Sequence, residues 1–130
     1  IDAMTQENQD AVGGEVADKA FHMLIAHATR NSAIEGIIED LWNLREKSKL
    51  TNSTYQTVRT VGIKPRIHEH VAIYDALKAK DPIGARRAMR LHLSRVIDTM
   101  FEATEMEAVE QAKQKVSRDR KRYTQWLEPS

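Results

Sequence analysis

The 130-residue sequence contains no cysteine, five glycines and three prolines, and only 5% of its residues are aromatic. The absence of cysteine excludes disulfides and thiolate metal sites, so any metal ion must be held by histidine or carboxylate side chains. No apolar run reaches the roughly 18 residues that a membrane-spanning helix needs, and the N-terminus lacks the basic and then apolar pattern of a signal peptide. We therefore predict a cytoplasmic protein that does not enter a membrane.

An excess of charge of one sign is also lacking: 20 Lys and Arg residues stand against 19 Asp and Glu residues, a formal net charge of +1. A dedicated nucleic-acid surface shows a strong basic excess. The basic run RDRKRY at 118–123 follows Glu105, Glu107 and Glu110, and these acidic neighbours favour a solvated helix face over a DNA-binding patch. The chain alone is therefore not expected to bind DNA.

The residues that are present favour helix. Alternating apolar and polar runs are lacking, and the content of Ala, Leu, Glu, Lys and Arg is typical of helices. The length suits one domain, so we predict an all-α, antiparallel helical bundle over residues 1–130.

The predicted helices are bounded by capping and breaking residues. Segment 1–14 is polar and ends in two glycines, which predicts a frayed helix or a loop. Helices are then predicted at 15–29, from an N-cap at Ser32 to near Ser48, at 66–80, and from Pro82 past residue 110 with Asp81 as its N-cap. Residues 49–66 are rich in Thr, Ser and Asn and are predicted to form a long connection.

Four metal-type ligands lie on the inner faces of three predicted helices. Asp18 and His22 are four residues apart, and His70 and His92 each fall within an apolar stripe of three- and four-residue spacing. A divalent transition metal would satisfy all four groups and keep one or two positions open for water or a small acid. The spacing is also compatible with core histidines bonded to carbonyl groups, and with an ordinary Asp18–His22 ion pair or cap.

Two stretches resemble a known family. DKAFHMLIAHATRNSAI at 18–34 and EHVAIYDALKAKDPIGARRAMRLHL at 69–93 resemble the FCD domain, the effector-binding half of FadR-type transcription regulators in the GntR family. The resemblance covers roughly residues 15–105 and implies an FCD-like bundle with a metal site in its interior. It implies that Asp18, His22, His70 and His92 hold a divalent metal, Zn or Ni above all.

The resemblance also implies partners. The winged helix-turn-helix and most of the first FCD helix are missing from this sequence, so we expect it to be part of a longer regulator. Such regulators bind a small organic acid and act as homodimers on palindromic operator DNA. Met100, Phe101 and Met106 are predicted to lie in the core or at a dimer surface.

Arg45 and Asn31 each have more than one predicted role. Arg45 follows Leu41 by four on an inward stripe, so it either binds an effector carboxylate, pairs with a glutamate or extends to solvent. Asn31 matches the family's Asn at a helix break, where it either contacts effector or caps the next helix. His27 and His68 point away from the predicted ligands and are expected on the surface.

The identity of the acid and the class of protein are also predicted. LWNLREKSKL at 41–50 is similar to sugar-acid-responsive members, which favours a hexuronate or related sugar acid over lactate or a dicarboxylate. We predict a sensor that is not an enzyme. One alternative is a metal-dependent hydrolase or lyase of a small acid, which needs a general base that is not evident. Another is a helical dimerisation module with a purely structural metal.

Overall fold

The computed structural model describes residues 1–9, 15–47 and 66–125 of the chain. They form five helices: α1 (Asp2–Gln9), α2 (Glu15–Ala28), α3 (Ser32–Lys47), α4 (Ile67–Lys78) and α5 (Pro82–Gln125). No strand occurs within these ranges, which confirms the all-α prediction. The predicted connection at 49–66 lies outside the described residues, apart from Arg66 immediately before α4.

The helices are arranged as two hairpins. α2 packs against α3, α4 packs against α5, and α1 packs on α2. The first 14 residues were predicted as a frayed helix or a loop, and eight of them form α1. Direct contacts between the two hairpins come from side chains that α2 and α4 extend toward each other, such as the Phe21 and His70 rings with centroids 5.0 Å apart.

The two hairpins turn in the same way. At the end of α2 and of α4 one residue adopts the left-handed conformation, Arg30 with φ 53° and Lys80 with φ 55°. The residue after each one caps the next helix. At the second turn Asp81 Oδ1 accepts hydrogen bonds from the backbone N–H groups of Ile83 at 3.1 Å and Gly84 at 2.9 Å, which confirms Asp81 as the N-cap.

At the first turn two caps were predicted, and the structure contradicts Ser32 but confirms Asn31. Asn31, not Ser32, supplies the capping oxygen: its Oδ1 accepts from the N–H groups of Ala33 at 3.0 Å and Ile34 at 3.4 Å. Ser32 is the first residue of α3. Asn and Ser are both good caps, so the sequence alone does not decide between neighbours.

The buried interior is unusually polar. Among the described residues the buried apolar side chains are few, namely Met4, Ala26, Ile73 and Ala103. Three ionisable side chains are buried beside them: Glu69, His70 and His92. Burying such groups costs free energy unless each one finds a partner, so their contacts identify the centre of the molecule.

Candidate metal centre

Three helices bring the four predicted ligands together. α2 carries Asp18 and His22 one helical turn apart, while His70 comes from α4 and His92 from α5. One ligand atom from each of these four side chains lies within 4.8 Å of every other. The cluster therefore joins the two hairpins, since its members come from both.

Asp18 stands at the middle of the cluster. The Nε2 atom of His70 donates a hydrogen bond to Asp18 Oδ1 at 2.9 Å, and Nε2 of His22 lies 3.5 Å from the same oxygen. Burial alone would raise the pKa of Asp18, but the hydrogen bonds from His22 and His70 outweigh it and hold that pKa well below its usual range. The carboxylate is thus ionised, the form that binds a metal.

His70 is completely buried, and both of its ring nitrogens have acceptors. Nδ1 donates to the backbone carbonyl of Arg66 at 3.1 Å, while Nε2 faces Asp18. Burial lowers the pKa of His70, but the hydrogen bonds to Asp18 and the Arg66 carbonyl outweigh it, and the pKa is raised. The Arg66 carbonyl also fixes the ring so that Nε2 points at the cluster.

His92 is oriented by a carboxylate that sequence reasoning missed. Glu69, only 6% exposed, accepts from His92 Nδ1 at 3.0 Å and from an Arg95 guanidinium nitrogen at 2.6 Å. Burial raises the pKa of Glu69, but the hydrogen bonds from Arg95 and His92 outweigh it and lower that pKa. The one available signal was that Glu69 directly precedes His70, although a neighbour in sequence usually points elsewhere on a helix.

The charges around His92 differ from those around His70. Burial lowers the pKa of His92, the bond to Glu69 acts in the opposite direction, and the nearby His70 and His22 lower it further. The His70 and His92 rings lie with centroids 4.5 Å apart, and those of His22 and His92 5.3 Å apart. Three imidazoles this close favour at least one neutral ring, as metal coordination requires.

The donor set fits a divalent transition metal. Ligand bonds of about 2.1 Å keep the ligand atoms of one ion within about 4.2 Å of each other, so the 4.8 Å spread needs only a small inward shift. The second nitrogens of His70 and His92 are each held by an acceptor outside the cluster, the arrangement typical of metal-ligating histidines. Three nitrogens and one oxygen suit Zn, Ni or a similar ion.

Arg45 reaches the cluster from α3. One guanidinium nitrogen lies 2.8 Å from Glu15 and another 3.9 Å from Asp18, while the guanidinium carbon stands 4.6 Å from the centre of the Trp42 ring. The predicted ion pair with a glutamate is therefore present. The Trp42 ring in turn lies 6.1 Å from that of His22, so α3 supplies one wall beside the cluster.

The remaining candidates lie apart from the cluster. Asn31 is exposed and caps α3, so its predicted contact with effector stays a prediction. His27 is exposed and lies 3.2 Å from Glu35, and His68 is 73% exposed, as expected for surface histidines.

A groove of about 940 Å³ runs between α2 and α4, with Phe21, Leu24 and Tyr74 among its lining residues; no cluster residue lines it.

The FCD domain family matches residues 1–95. The chain belongs to the FCD domain family. The match begins and ends earlier than the predicted range of 15–105, so α1 is part of the FCD domain and most of α5 lies beyond it. This result confirms the predicted kinship with effector domains of GntR-type transcription regulators.

The curated relatives are named as transcription regulators. The Exu regulon transcriptional regulator of Escherichia coli K12 is 31% identical over 87 residues, covering 67% of this FCD chain and 34% of that protein. The Uxu operon regulator of Haemophilus influenzae is 30% identical over 102 residues, or 78% and 37% of the two chains. The transcriptional regulator LutR of Bacillus subtilis is 30% identical over 88 residues, or 67% and 40%.

The FCD chain thus spans roughly a third to two fifths of the length of these relatives. No solved structure gives a significant match. None of the three relatives is named as an enzyme, so the predicted hydrolase or lyase alternative gains no support from them. Within the described ranges, no helix combines the length and the apolar character needed to cross a membrane.

Proposed function

We propose that this FCD chain is the effector-sensing part of a cytoplasmic transcription regulator. Asp18, His22, His70 and His92 hold a divalent transition metal, Zn or Ni above all, and a small organic acid binds beside it. The observation that carries the proposal is the convergence of four donor atoms from three helices within 4.8 Å. An apolar core would be cheaper to fold, so such a group is best accounted for by a ligand that satisfies it.

Arg45 is the residue proposed to hold the acid. When bound, the metal supplies positive charge and open coordination positions for a carboxylate. The Arg45 guanidinium lies 3.9 Å from Asp18, at the edge of the cluster. From there it can donate two parallel hydrogen bonds to the carboxylate of the bound acid. Glu15 now accepts one of its bonds at 2.8 Å, so an acid would replace Glu15 as the partner of Arg45.

We propose a hexuronate as the acid. Two relatives are named for the Exu regulon and the Uxu operon, and the hexuronate assignment rests on that likeness together with the stretch LWNLREKSKL. Trp42 and Arg45 both come from this stretch and form the wall beside His22. An aromatic face and a guanidinium suit a ligand that has a sugar ring and a carboxylate.

Binding is proposed to change the relation between the two hairpins. Asp18 and His22 belong to one hairpin, and His70 and His92 to the other. An acid that binds one arrangement of the hairpins more tightly shifts the population toward it, and by linkage alters DNA binding through an attached N-terminal domain. The regulator is proposed to act as a homodimer on a palindromic operator.

An enzymatic reaction would need a general base beside the open positions. Glu69, the carboxylate that contacts the cluster from outside, already accepts hydrogen bonds from His92 and Arg95. These contacts support ligand sensing over hydrolysis or elimination, both of which require a base within reach of the substrate.

The proposal is tested by calorimetric titration of the metal-loaded chain with galacturonate, glucuronate, lactate and succinate. We expect the hexuronates to bind most tightly. Arg45→Ala should weaken binding by about 1.5–3 kcal/mol, the cost of losing a hydrogen bond to a charged group, and leave metal content unchanged. Arg90→Ala on the exposed side of α5 is the control. Unchanged affinity in Arg45→Ala would exclude Arg45 from the acid site.

Two further measurements sharpen this test. Glu15→Gln should raise acid affinity, because Arg45 would no longer have to leave a charged partner; weaker binding would contradict the exchange of partners. The full-length regulator should then change its affinity for operator DNA when the acid is added. If no acid that binds the domain changes the affinity for operator DNA, the proposed regulatory role of the site is wrong.

A further inference from the structure

The second half of α5 extends far beyond its packing partner. α5 has 44 residues and α4 has 12, about 66 Å against 18 Å of helix. Residues 108–125 are all exposed, and the family match ends at residue 95. Within the described residues this distal helix, residues 101–125, has one buried side chain, Ala103, and a helix with so little tertiary contact is only marginally stable in water without another source of stability.

The charges of the distal helix are segregated. Residues 102–110 carry four glutamates and no basic residue, whereas residues 113–122 carry six Lys or Arg residues and one aspartate. Lys or Arg three or four residues after Glu stabilises a helix from within, and Glu110–Lys113 is the one such pair in residues 101–125. Here the positions four after Glu107 and Glu110 are Gln111 and Gln114, which donate to them at 3.3 and 3.1 Å.

One side of the distal helix combines apolar and charged residues in a symmetric order. Val109, Ala112 and Val116 follow the three- and four-residue spacing of a helical stripe. Glu105 lies four residues before this stripe and Arg120 lies four residues after it. All five side chains are exposed. Tyr123, 77% exposed, continues the same side.

We propose that the distal helix pairs with the distal helix of a second copy of this chain, antiparallel, about a two-fold axis beside residues 112 and 113. Val109 then faces Val116 of the other copy, and Glu105 faces Arg120. A parallel pair would place like charges opposite each other, which is unfavourable. The inference rests on the proposed function only in choosing a second copy as partner, since a palindromic operator is read by a symmetric pair.

Cross-linking tests the axis directly, because the chain has no cysteine of its own. Ala112→Cys places two thiols beside the axis, and oxidation should give a disulfide-linked dimer. Glu102→Cys lies on the same side but about 31 Å from its symmetry mate, and disulfides need Cα atoms within about 7 Å, so this control should stay monomeric in a denaturing gel. Equal cross-linking of both variants, or of neither, would overturn the antiparallel pair.

Charge reversal tests the pairing in solution by sedimentation equilibrium of the full chain. Glu105→Lys and Arg120→Glu should each weaken self-association about tenfold or more, because each creates two like-charge contacts per dimer. An equimolar mixture of the two variants should restore association, since every reversed residue then faces its opposite. Glu107→Lys, on the other side of the helix, should associate like the native chain.

Several outcomes would contradict the proposal. They are a native chain that stays monomeric, reversed variants that associate normally, or a mixture that does not recover. Binding of duplex DNA at physiological salt that Arg120→Glu abolishes would assign the basic end to nucleic acid instead. Metal content and acid binding should be unchanged in all these variants, so failure of the pairing and failure of the proposed sensing function are distinguishable.

Discussion

The two halves of α5 form one continuous helix but lie in opposite surroundings. The first half begins at the Asp81 cap, packs on α4, and places His92 and Arg95 on the buried Glu69. The second half, from residue 101 onward, exposes Phe101 to 71% and Tyr123 to 77%. Specific contacts to neighbouring helices stabilise the first half. The second half depends mainly on helix-forming residues and on the order of its charges.

This difference supports placing the proposed metal site against the first half of α5. Glu69, His70 and His92 are ionisable, yet they account for a large share of the buried side chains among the described residues. They are retained at a cost that hydrogen bonds only partly offset, which is the usual mark of a binding site. The distal helix buries no ionisable side chain of this kind.

The largest expected effect is the loss of metal from the first half of α5. His92→Ala removes one of the four proposed ligands and should lower metal content from near one ion per chain to a small fraction, measured by elemental analysis after dialysis. His68→Ala and His27→Ala should keep the native content, because both side chains are exposed and outside the cluster. Full occupancy in a His70→Ala, His92→Ala double variant would refute the assignment.

The next effect concerns the residue that orients His92. Glu69→Gln keeps the shape but removes the charge that holds the Nδ1 proton of His92, and metal affinity should fall by about 10–100-fold, the range for such supporting carboxylates. Competition with a chromophoric chelator measures this affinity. Glu102→Gln, in the exposed half of α5, is the matched control and should have no effect. An unchanged metal affinity in Glu69→Gln would show that the charge of Glu69 does not support metal binding by His92.

The sequence predicted the helices and the inner faces that carry the four cluster residues, because both depend on local periodicity. Asp18, His22, His70 and His92 could be placed on inner faces from spacing alone, and the Asp81–Pro82 pair located the start of α5. Glu69 could not be found in this way. Its role depends on how α4 and α5 pack, which brings Arg95, 26 residues away, to its second oxygen.

The turns show the same limit. Arg30 and Lys80 adopt a left-handed conformation that usually selects glycine or asparagine, so neither residue gave a turn signal. The pairing of Arg45 with Glu15 joins residues 30 apart and was one of three alternatives that the sequence left open. Local spacing fixes which side of a helix a residue occupies, whereas the partner on that side depends on tertiary packing.

A smaller effect separates the two roles predicted for Asn31. Asn31→Ala should lower the free energy of unfolding by about 1 kcal/mol through loss of the α3 cap, as Asp81→Ala should for α5. Asn31→Asp keeps the capping oxygen and should restore stability, measured by urea unfolding. Its added negative charge would weaken acid binding only if Asn31 contacts the effector. Unchanged acid affinity in Asn31→Asp would therefore leave Asn31 as a cap alone.

The smallest effect is a pH window set by Asp18 and His70 in the metal-free chain. The pKa of Asp18 is lowered from 3.8, so its contribution to stability is present above that pH and is lost as the pH falls below it. The pKa of His70 is raised from 6.5, so its contribution is complete below that pH and is lost as the pH rises through the folded-state value. The ion pair should therefore stabilise the fold most between about pH 4 and 6.5.

We expect the difference in unfolding free energy between the native chain and Asp18→Asn, both kept in chelator, to peak in this window and decline on either side. The lowered pKa of His92 acts in the opposite direction, but it is common to both proteins and largely cancels in the difference. Lys113→Gln in the distal helix should show no such window, and a difference for Asp18→Asn that stays constant from about pH 3 to 9 would mean that the pair does not form in solution.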